Sequence, residues 1–183
     1  MSSKYKVRDQ EKIYFVTFAI VNWIPGLSRP EYKEIFLESL RYCQSNKGLE
    51  IYAWVIMDNH IHLIIGKTGE EKLENIVRDF KKFTSVQICR AIESNQQESR
   101  REWMLWMFER AGKKSGKHKM YMFWQEDYHP IELVNVEMTQ QKINYIHQNP
   151  VKEGIMFEEQ HYVYSSTIDY QDKKGKLEIL LAC

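Results

Sequence analysis

The chain has 183 residues, of which 43% are hydrophobic and 28% charged, and its formal net charge is +1. This length is sufficient for a single domain with its own core, and no apolar run approaches the roughly 18 residues that a transmembrane helix needs. We therefore expect one domain over residues 1–183, in a soluble protein with no membrane partner. A polar amino terminus and three scattered cysteines, which form no Cys-x-x-Cys pair, predict a cytoplasmic location.

The first predicted elements are a strand and a helix. Residues 12–23 are rich in aromatic and β-branched residues and are followed by a Pro-Gly pair, which indicates a strand closed by a turn. Residues 28–48 place apolar side chains on one helical face and end at a glycine, which predicts a helix.

A β-hairpin and a second helix are predicted next. The segment "LEIYAWVIMDNHIHLIIG" (49–66) is too long for one strand, and its Asp58-Asn59 pair is well suited to a turn. The second strand of this hairpin then begins at His60. Residues 71–93 return to helical spacing, with basic side chains on the outer surface of the helix.

Residues 94–120 lack a clean period, and we expect them to form an insertion. A short helix is predicted around "SRREWMLWMFERA", followed by a mobile loop at "GKKSGKHK". Residues 100–119 contain seven basic and two acidic side chains, so positive charge is concentrated there. Such a block is typical either of a solvated loop or of a surface that binds phosphates.

The remaining chain predicts extended structure at 120–134 and then a helix at "MTQQKINYIHQNP" (138–150). Thr139 is its candidate N-cap, and Pro150 is expected to end the helix at Asn149. The whole order of strands and helices predicts an α+β fold, in which an antiparallel sheet has its helices packed on one face.

Two histidines stand in the second hairpin strand, in the sequence "MDNHIHLII" (57–65). Because side chains alternate along a strand, His60 and His62 point to the same side and could bind one metal ion. Imidazole ligands suggest zinc, copper or iron before magnesium. A hydrogen-bonded pair in the core is the alternative, and a zinc hydrolase would need a third ligand such as His129 or Asp58.

The last predicted helix offers a second candidate group. Tyr145 and Asn149 are four residues apart and therefore share a helical face. A tyrosine there is usually a core or rim aromatic. Beside a metal ion, however, it could act as a nucleophile on phosphate, and Asn149 could offer its amide oxygen to the same ion.

These fragments together resemble a known family. "MDNHIHLII" is similar to the histidine-hydrophobic-histidine (HUH) strand of single-tyrosine transposases, and "YIHQNPVKEGI" followed by "YVYSS" is similar to the signature of their REP-associated branch. The resemblance covers residues 12–92 and 121–170 and leaves the basic insertion unmatched. It departs from the family at Asp58, where proline is common.

The resemblance implies a ferredoxin-like sheet and a set of roles. His60, His62 and Asn149 would bind Mg²⁺ or Mn²⁺, and Tyr145 would attack single-stranded DNA to give a 5′-phosphotyrosine bond and a free 3′-hydroxyl. Because the tyrosine bond retains the energy of the phosphodiester, rejoining would need no external energy source. Tryptophans at 103 and 106 are candidates for base stacking, whereas Trp124 is expected in the core.

The expected partner is single-stranded or hairpin DNA, held by basic side chains of the second helix and the insertion. These residues are Arg78, Lys81, Lys82, Arg100, Arg101, Lys113, Lys114, Lys117 and Lys119. The resemblance leaves open whether the protein acts as a homodimer or a monomer. The alternative function is a domesticated protein that binds DNA hairpins without strand transfer.

Overall fold

The computed structural model describes residues 6–116 and 120–182, and its centre is an antiparallel sheet of four strands. The strands are β1 (Tyr14–Ala19), β2 (Leu49–Ile56), β3 (His60–Lys67) and β4 (Ile131–Glu132). They lie side by side in the order β2-β3-β1-β4, and each neighbouring pair is antiparallel. With a helix between β1 and β2 and another after β3, this is the ferredoxin-like arrangement, so the predicted fold class is confirmed.

Four α-helices complete the fold. They are α1 (Pro30–Lys47), α2 (Leu73–Ser94), α3 (Arg101–Ser115) and α4 (Val136–Lys152). None of the helices within 6–116 and 120–182 combines the length and hydrophobicity needed to cross a lipid bilayer.

The helices cover both faces of the sheet, which corrects the expectation that they pack on one face. Phe36 of α1 and Phe80 of α2 join the larger core on the first face. Ile143 and Ile146 of α4 pack on the second face with Ile64 of β3. The physical reason is that the central strands carry apolar side chains on both sides, so each side needs a cover.

The β2–β3 turn is fixed from the helical side. The Lys33 ammonium in α1 donates to the Asp58 carboxylate over 2.8 Å and to the Tyr162 hydroxyl over 3.2 Å. The backbone N–H groups of Leu27 and Ile20 donate to the carbonyls of Asp58 and Asn59. Asp58 therefore holds the turn through an ion pair with Lys33.

Helix α4 begins and ends outside the predicted positions. Asn135, not Thr139, is the N-cap, and its side chain accepts a hydrogen bond from the Met138 N–H over 2.8 Å. Thr139 lies one turn inside, where its hydroxyl donates to the Asn135 carbonyl. The helix also continues past Pro150 to Lys152, because a proline in the last turn removes only one backbone hydrogen bond.

The predicted insertion contains α3, which is longer than expected. Met104 and Phe108 are fully buried in the larger core, so this helix is anchored to the sheet domain. The segment 113–115 is helical, which corrects the prediction of a loop beginning at residue 112. Lys117 and Lys119, proposed as DNA contacts, lie outside the described residues.

A buried carboxylate ties the start of α3 to the start of α1. Glu98, whose side chain is 1% exposed, accepts hydrogen bonds from the side chains of Arg29 over 2.7 Å and Arg100 over 3.1 Å. Burial alone would raise the pKa of Glu98, but the hydrogen bonds and charges of Arg100 and Arg29 outweigh it and lower the pKa to about 2. Arg100 therefore has a structural partner.

The outer edge of β2 is covered by the carboxyl-terminal part of the chain. The Ile56 N–H donates to the Tyr164 carbonyl over 2.9 Å, and the Ser166 N–H donates to the Trp54 carbonyl over 3.0 Å. Further along the same edge, the Leu180 N–H donates to the Ile51 carbonyl over 2.9 Å. These bonds satisfy the edge groups that a terminal strand would otherwise leave open.

Replacing Glu98 with glutamine should lower the free energy of unfolding by about 2 kcal/mol. Breaking a fully buried ion pair costs about 3–5 kcal/mol, and the partial exposure of both arginines reduces that value. The folded-state pKa of Glu98 is depressed, so the stabilisation is complete above its ordinary value of 4.5 and is lost as the pH falls through about 2. Urea unfolding of wild type and E98Q at several pH values measures this difference.

The matched control is E38Q, which neutralises an exposed glutamate in α1. We expect E38Q to unfold within about 0.5 kcal/mol of wild type. A difference between wild type and E98Q that stays constant from pH 7 to pH 2 would contradict the role given to the Glu98 carboxylate.

Candidate active site

His60 and His62 lie together on the α4 side of the sheet. Their ring centroids are 4.7 Å apart, while Ile61 and Leu63 between and beside them are buried in the opposite core. Both imidazoles are themselves nearly buried. The alternation predicted for this strand therefore places the two rings side by side.

The Nδ1 atom of each imidazole is engaged within the protein. His62 Nδ1 contacts the Thr17 hydroxyl over 2.8 Å, and His60 Nδ1 contacts Asn59 Oδ1 over 2.7 Å. Because an amide oxygen only accepts, His60 Nδ1 carries the proton and Nε2 keeps its lone pair. A neighbouring oxygen that fixes the ring in this way is the usual arrangement around metal-binding histidines.

The surroundings keep both imidazoles uncharged. Burial lowers the pKa of His60, and the nearby Glu153 carboxylate and the Asn149 side chain only partly offset this effect. Burial, together with the charges of His60 and Lys142, lowers the pKa of His62 to about 3. Neutral imidazole is the form that binds metal ions.

Tyr145 of α4 lies directly over this pair. Its ring centroid is 5.1 Å from that of His62 and 5.9 Å from that of Phe15, and its side chain is 38% exposed. The tyrosine is accessible to a ligand while its ring is held against the sheet.

Asn149, one turn after Tyr145, is buried beside His60. Its Oδ1 atom is buried and accepts no hydrogen bond from any described residue. A buried amide oxygen without a donor costs free energy, and a cation is one of the groups that would satisfy it. The position of this atom fits the expected third ligand.

The donor set fits a divalent cation of the Mg²⁺ or Mn²⁺ type, which His60, His62 and Asn149 would hold. Two imidazoles from β3 and one amide oxygen from α4 converge here, and amide oxygen suits hard cations. Within 6–116 and 120–182, no three His, Cys, Asp or Glu side chains cluster as a metal site. Asp58, a third ligand considered for zinc, is bound to Lys33 instead.

Two lysines of α4 flank the tyrosine ring. The Lys142 ammonium lies 5.6 Å from the Tyr145 ring centroid and 4.7 Å from that of Phe15. The Lys152 ammonium lies 5.2 Å from the Tyr145 ring centroid. Lys142 is half-buried and Lys152 is exposed. Sequence reasoning missed both, although the spacing of Lys142 and Tyr145, three residues apart, could have indicated a shared helical face.

Trp23 stands at the rim of the site. The ring centroids of Trp23 and His60 are 5.7 Å apart in an edge-on geometry, and Trp23 is 55% exposed. Both Trp23 and the preceding Asn22 have a backbone φ of 55°, in the left-handed region that non-glycine residues rarely adopt. This residue was not predicted from the sequence.

His147 and Ser166 attach α4 to β2 on the side away from the site. His147 Nε2 contacts the Ser166 hydroxyl oxygen over 3.0 Å, and that oxygen also accepts a hydrogen bond from the Trp54 N–H over 2.9 Å. Burial lowers the pKa of His147 to about 4. The "YVYSS" segment thus supports α4 through the contact between Ser166 and His147.

Some residues predicted to bind DNA are held by contacts within the protein, and others are exposed. Lys81 is turned inward, where its ammonium donates to the carbonyls of Gln125 and Glu126, and burial lowers its pKa to about 8. Arg100 is held by Glu98. The exposed cations among the described candidates are Arg78, Lys82, Lys113 and Lys114, with the half-exposed Arg101 bound to Gln96. Arg78 and Lys82 belong to α2, on the sheet face opposite the histidines.

The tryptophans of the insertion also have two different environments. Trp103 and Trp106 on α3 are about half exposed, and the Arg110 guanidinium lies 5.3 Å from the Trp106 ring centroid. Trp124 is buried, as expected, and its indole N–H donates to the Thr84 hydroxyl over 2.9 Å.

Part of the chain is similar to a known protein family. Residues 25–110 match the family model described as "Transposase IS200 like". This span contains both histidines and most of α3, and it ends before Tyr145. Among curated proteins, none matches this sequence.

Two solved structures are similar to the chain. One is the REP-associated tyrosine transposase bound to a REP hairpin, at 18% identity and a TM-score of 0.67, covering 94% of this chain and 87% of that one. The other is a transposase candidate from Deinococcus radiodurans R1, at 16% identity and a TM-score of 0.44, covering 79% and 95% of the two chains. The first supports the fold described above.

Replacing Ser166 with alanine should destabilise the attachment of α4. The change leaves the buried Trp54 N–H and the His147 ring without their partner, at a cost of about 1–3 kcal/mol. Amide hydrogen exchange in α4 should accelerate more than exchange in α1. The control is S165A, because the Ser165 hydroxyl bonds only within its own turn, to Thr167. Equal exchange of α4 in both variants would contradict the attachment.

Proposed function

We propose that the chain is a transposase of the IS200-like type, a metal-dependent single-tyrosine enzyme that cleaves and rejoins single-stranded DNA. The observation that supports this most directly is the meeting of three groups from distant parts of the chain. The His60 and His62 ring centroids are 4.7 Å apart, and that of Tyr145 is 5.1 Å from that of His62. Asn149, whose buried amide oxygen has no donor among the described residues, lies beside His60. A purely structural role would leave no reason to bury that amide oxygen without a donor.

In the proposed reaction, the Tyr145 oxygen attacks the phosphorus of one phosphodiester. A bond forms between that oxygen and phosphorus while the bond from phosphorus to the 3′-oxygen breaks, which gives a 5′-phosphotyrosine and a free 3′-hydroxyl. The phenolic proton leaves, and the departing 3′-oxygen gains one. Attack of a 3′-hydroxyl on the phosphotyrosine reverses these changes and joins two strands.

A Mg²⁺ or Mn²⁺ ion held by His60, His62 and Asn149 would supply positive charge to the phosphate during this exchange. The protein contributes orientation. Thr17 and Asn59 fix the two imidazoles, and α4 holds the tyrosine over them. Positioning of this kind lowers the barrier because the reacting groups are already aligned.

The proposed substrate is a single strand adjoining a DNA hairpin. The similar REP-associated transposase was solved with a REP hairpin, which supports this class of ligand for the present chain. Exposed Lys113 and Lys114 and the half-exposed indoles of α3 offer cationic and aromatic surface for such DNA. We place the enzyme in the cytoplasm, where the DNA is, which accords with free, buried Cys43 and Cys89.

The wild-type protein should form a covalent adduct with a hairpin oligonucleotide that carries a single-stranded flank, in the presence of Mn²⁺. The Y145F variant should form none, because it lacks the attacking oxygen, and the double variant H60A/H62A should form at least about 100-fold less, because it lacks two ligands. Denaturing gel electrophoresis of labelled DNA measures the adduct.

Y145F is also the control for folding and binding, since it changes one atom and should bind the oligonucleotide as wild type does. An adduct that persists in Y145F would remove Tyr145 from its role. Tight binding by the wild type without any adduct would instead favour the hairpin-binding alternative without strand transfer.

A further inference from the structure

The half-buried ammonium of Lys142 is a positive charge without a matching carboxylate. It rests on the rings of Phe15 and Tyr145, and no Asp or Glu in the described part of the chain lies within ion-pair distance of it. Partial removal of an ammonium from water is costly unless an anion compensates it. The fold therefore maintains a cation where its own side chains do not neutralise it.

The location of the Lys142 charge indicates which anion would compensate it. Lys142 precedes Tyr145 by three residues on the same face of α4, and its ammonium lies 4.7 Å from the Phe15 ring, which stacks on His62 at 5.3 Å between centroids. A metal ion on the histidines and the Lys142 ammonium would repel each other across a partly buried pocket. A phosphate between the two cations removes that repulsion and is attracted by both.

Lys152 provides a comparison within the same helix. Its ammonium is as close to the Tyr145 ring as that of Lys142, but Lys152 is exposed in the last turn. Solvent screens a charge there, whereas the half-buried charge of Lys142 acts through a less polar surrounding. Of the two lysines, Lys142 is therefore the one suited to act on a reacting phosphate.

We propose that Lys142 is a catalytic residue that binds a non-bridging oxygen of the scissile phosphate while Tyr145 attacks it. This inference rests on the proposed strand transfer. The ammonium faces the developing negative charge of the transition state, so its contribution is larger during the reaction than in the bound substrate.

The test compares K142M with wild type in the adduct assay at saturating oligonucleotide. Methionine keeps an unbranched stem over Phe15 and removes the charge. We expect the rate of adduct formation to fall about 100-fold, the typical loss when one preorganised donor to a transition-state oxyanion is removed. K142R should recover part of the rate, and K152M should lose about threefold.

Two further measurements separate catalysis from structure. Mn²⁺ affinity should be unchanged or higher in K142M, because a repelling charge has been removed. In the Y145F background, K142M should weaken oligonucleotide binding less than about tenfold. An adduct rate in K142M equal to that of wild type would overturn the proposal, and so would loss of Mn²⁺ binding in K142M. If K142M does not fold, K142Q replaces it in both measurements. Absence of any adduct in the wild type would refute the proposed function instead.

A second inference concerns Trp23. A large indole that is half exposed is held by two consecutive left-handed residues, Asn22 and Trp23, beside the His60 ring. Left-handed backbone at bulky residues is unfavourable, and such strain is concentrated at functional sites. The fold keeps this ring at the rim of the pocket although neither burial nor backbone preference favours it there.

We propose that Trp23 is a platform on which one base adjoining the scissile phosphate stacks, again resting on the proposed strand transfer. An exposed aromatic face attracts any unpaired base. The ring contacts His60, so a base stacked on it would hold the neighbouring phosphate near the histidine pair.

The test uses oligonucleotides with a single abasic site at successive positions, bound by Y145F and by Y145F/W23A. We expect W23A to weaken binding to the intact strand about tenfold. When the oligonucleotide lacks the base that stacks on Trp23, W23A should weaken binding no further. W23F should restore part of the affinity. The control is Y42A, which removes an exposed aromatic of α1 on the far side of the sheet and should couple to no position.

W23G supplies an independent check. Glycine accepts the left-handed backbone, so this variant should keep the local conformation while binding DNA more weakly. If W23A weakens binding by the same factor at every abasic position, the proposal is overturned. It is also overturned if W23G binds DNA as tightly as the protein with Trp23.

Discussion

The site depends on β3 being buried on both of its faces. Alternate side chains pack into the larger core with α1 and α2, while His60 and His62 face α4. A strand with one solvated face would present the same two imidazoles to water, where they would titrate near their ordinary pKa of 6.5 and move freely. Enclosure under α4 instead keeps them neutral and oriented.

Helix α4 supplies the other residues of the site. Its apolar side, with Ile143 and Ile146, fixes the helix to the sheet, and its other side presents Tyr145 and Asn149 to the histidines. The attachment of His147 to Ser166 adds a polar constraint on the buried side. Because one helix carries both the proposed nucleophile and a proposed metal ligand, their spacing is set by the helix backbone.

Short-range patterns predicted much of this arrangement. The alternation in "MDNHIHLII" placed the two imidazoles on one side, and the four-residue interval of Tyr145 and Asn149 placed both on one helical face. The Asp58-Asn59 turn and the order of strands and helices along the chain followed from equally local signals. The roles of these residues came from the family resemblance, and the geometry accords with them.

Contacts between distant segments were beyond sequence reasoning. Lys81 has the sequence context of a surface lysine, yet it donates to carbonyls about 45 positions away. Arg100 was predicted to contact DNA. Its actual partner, Glu98, becomes buried only when Arg29, at the start of α1, also binds it. The position of α4 on the second face depends on which sheet surface remains uncovered, and that is decided by the whole fold.

The covered outer edge of β2 restricts how copies of this protein could associate. Hydrogen bonds from Tyr164, Ser166 and Leu180 segments occupy much of that edge, and the opposite edge of the sheet is the two-residue strand β4. Intermolecular sheet extension would therefore gain few backbone bonds on either side. Two copies brought together on a nucleic acid would meet through helices and loops, which leaves the β-sheet of each copy intact as a rigid unit.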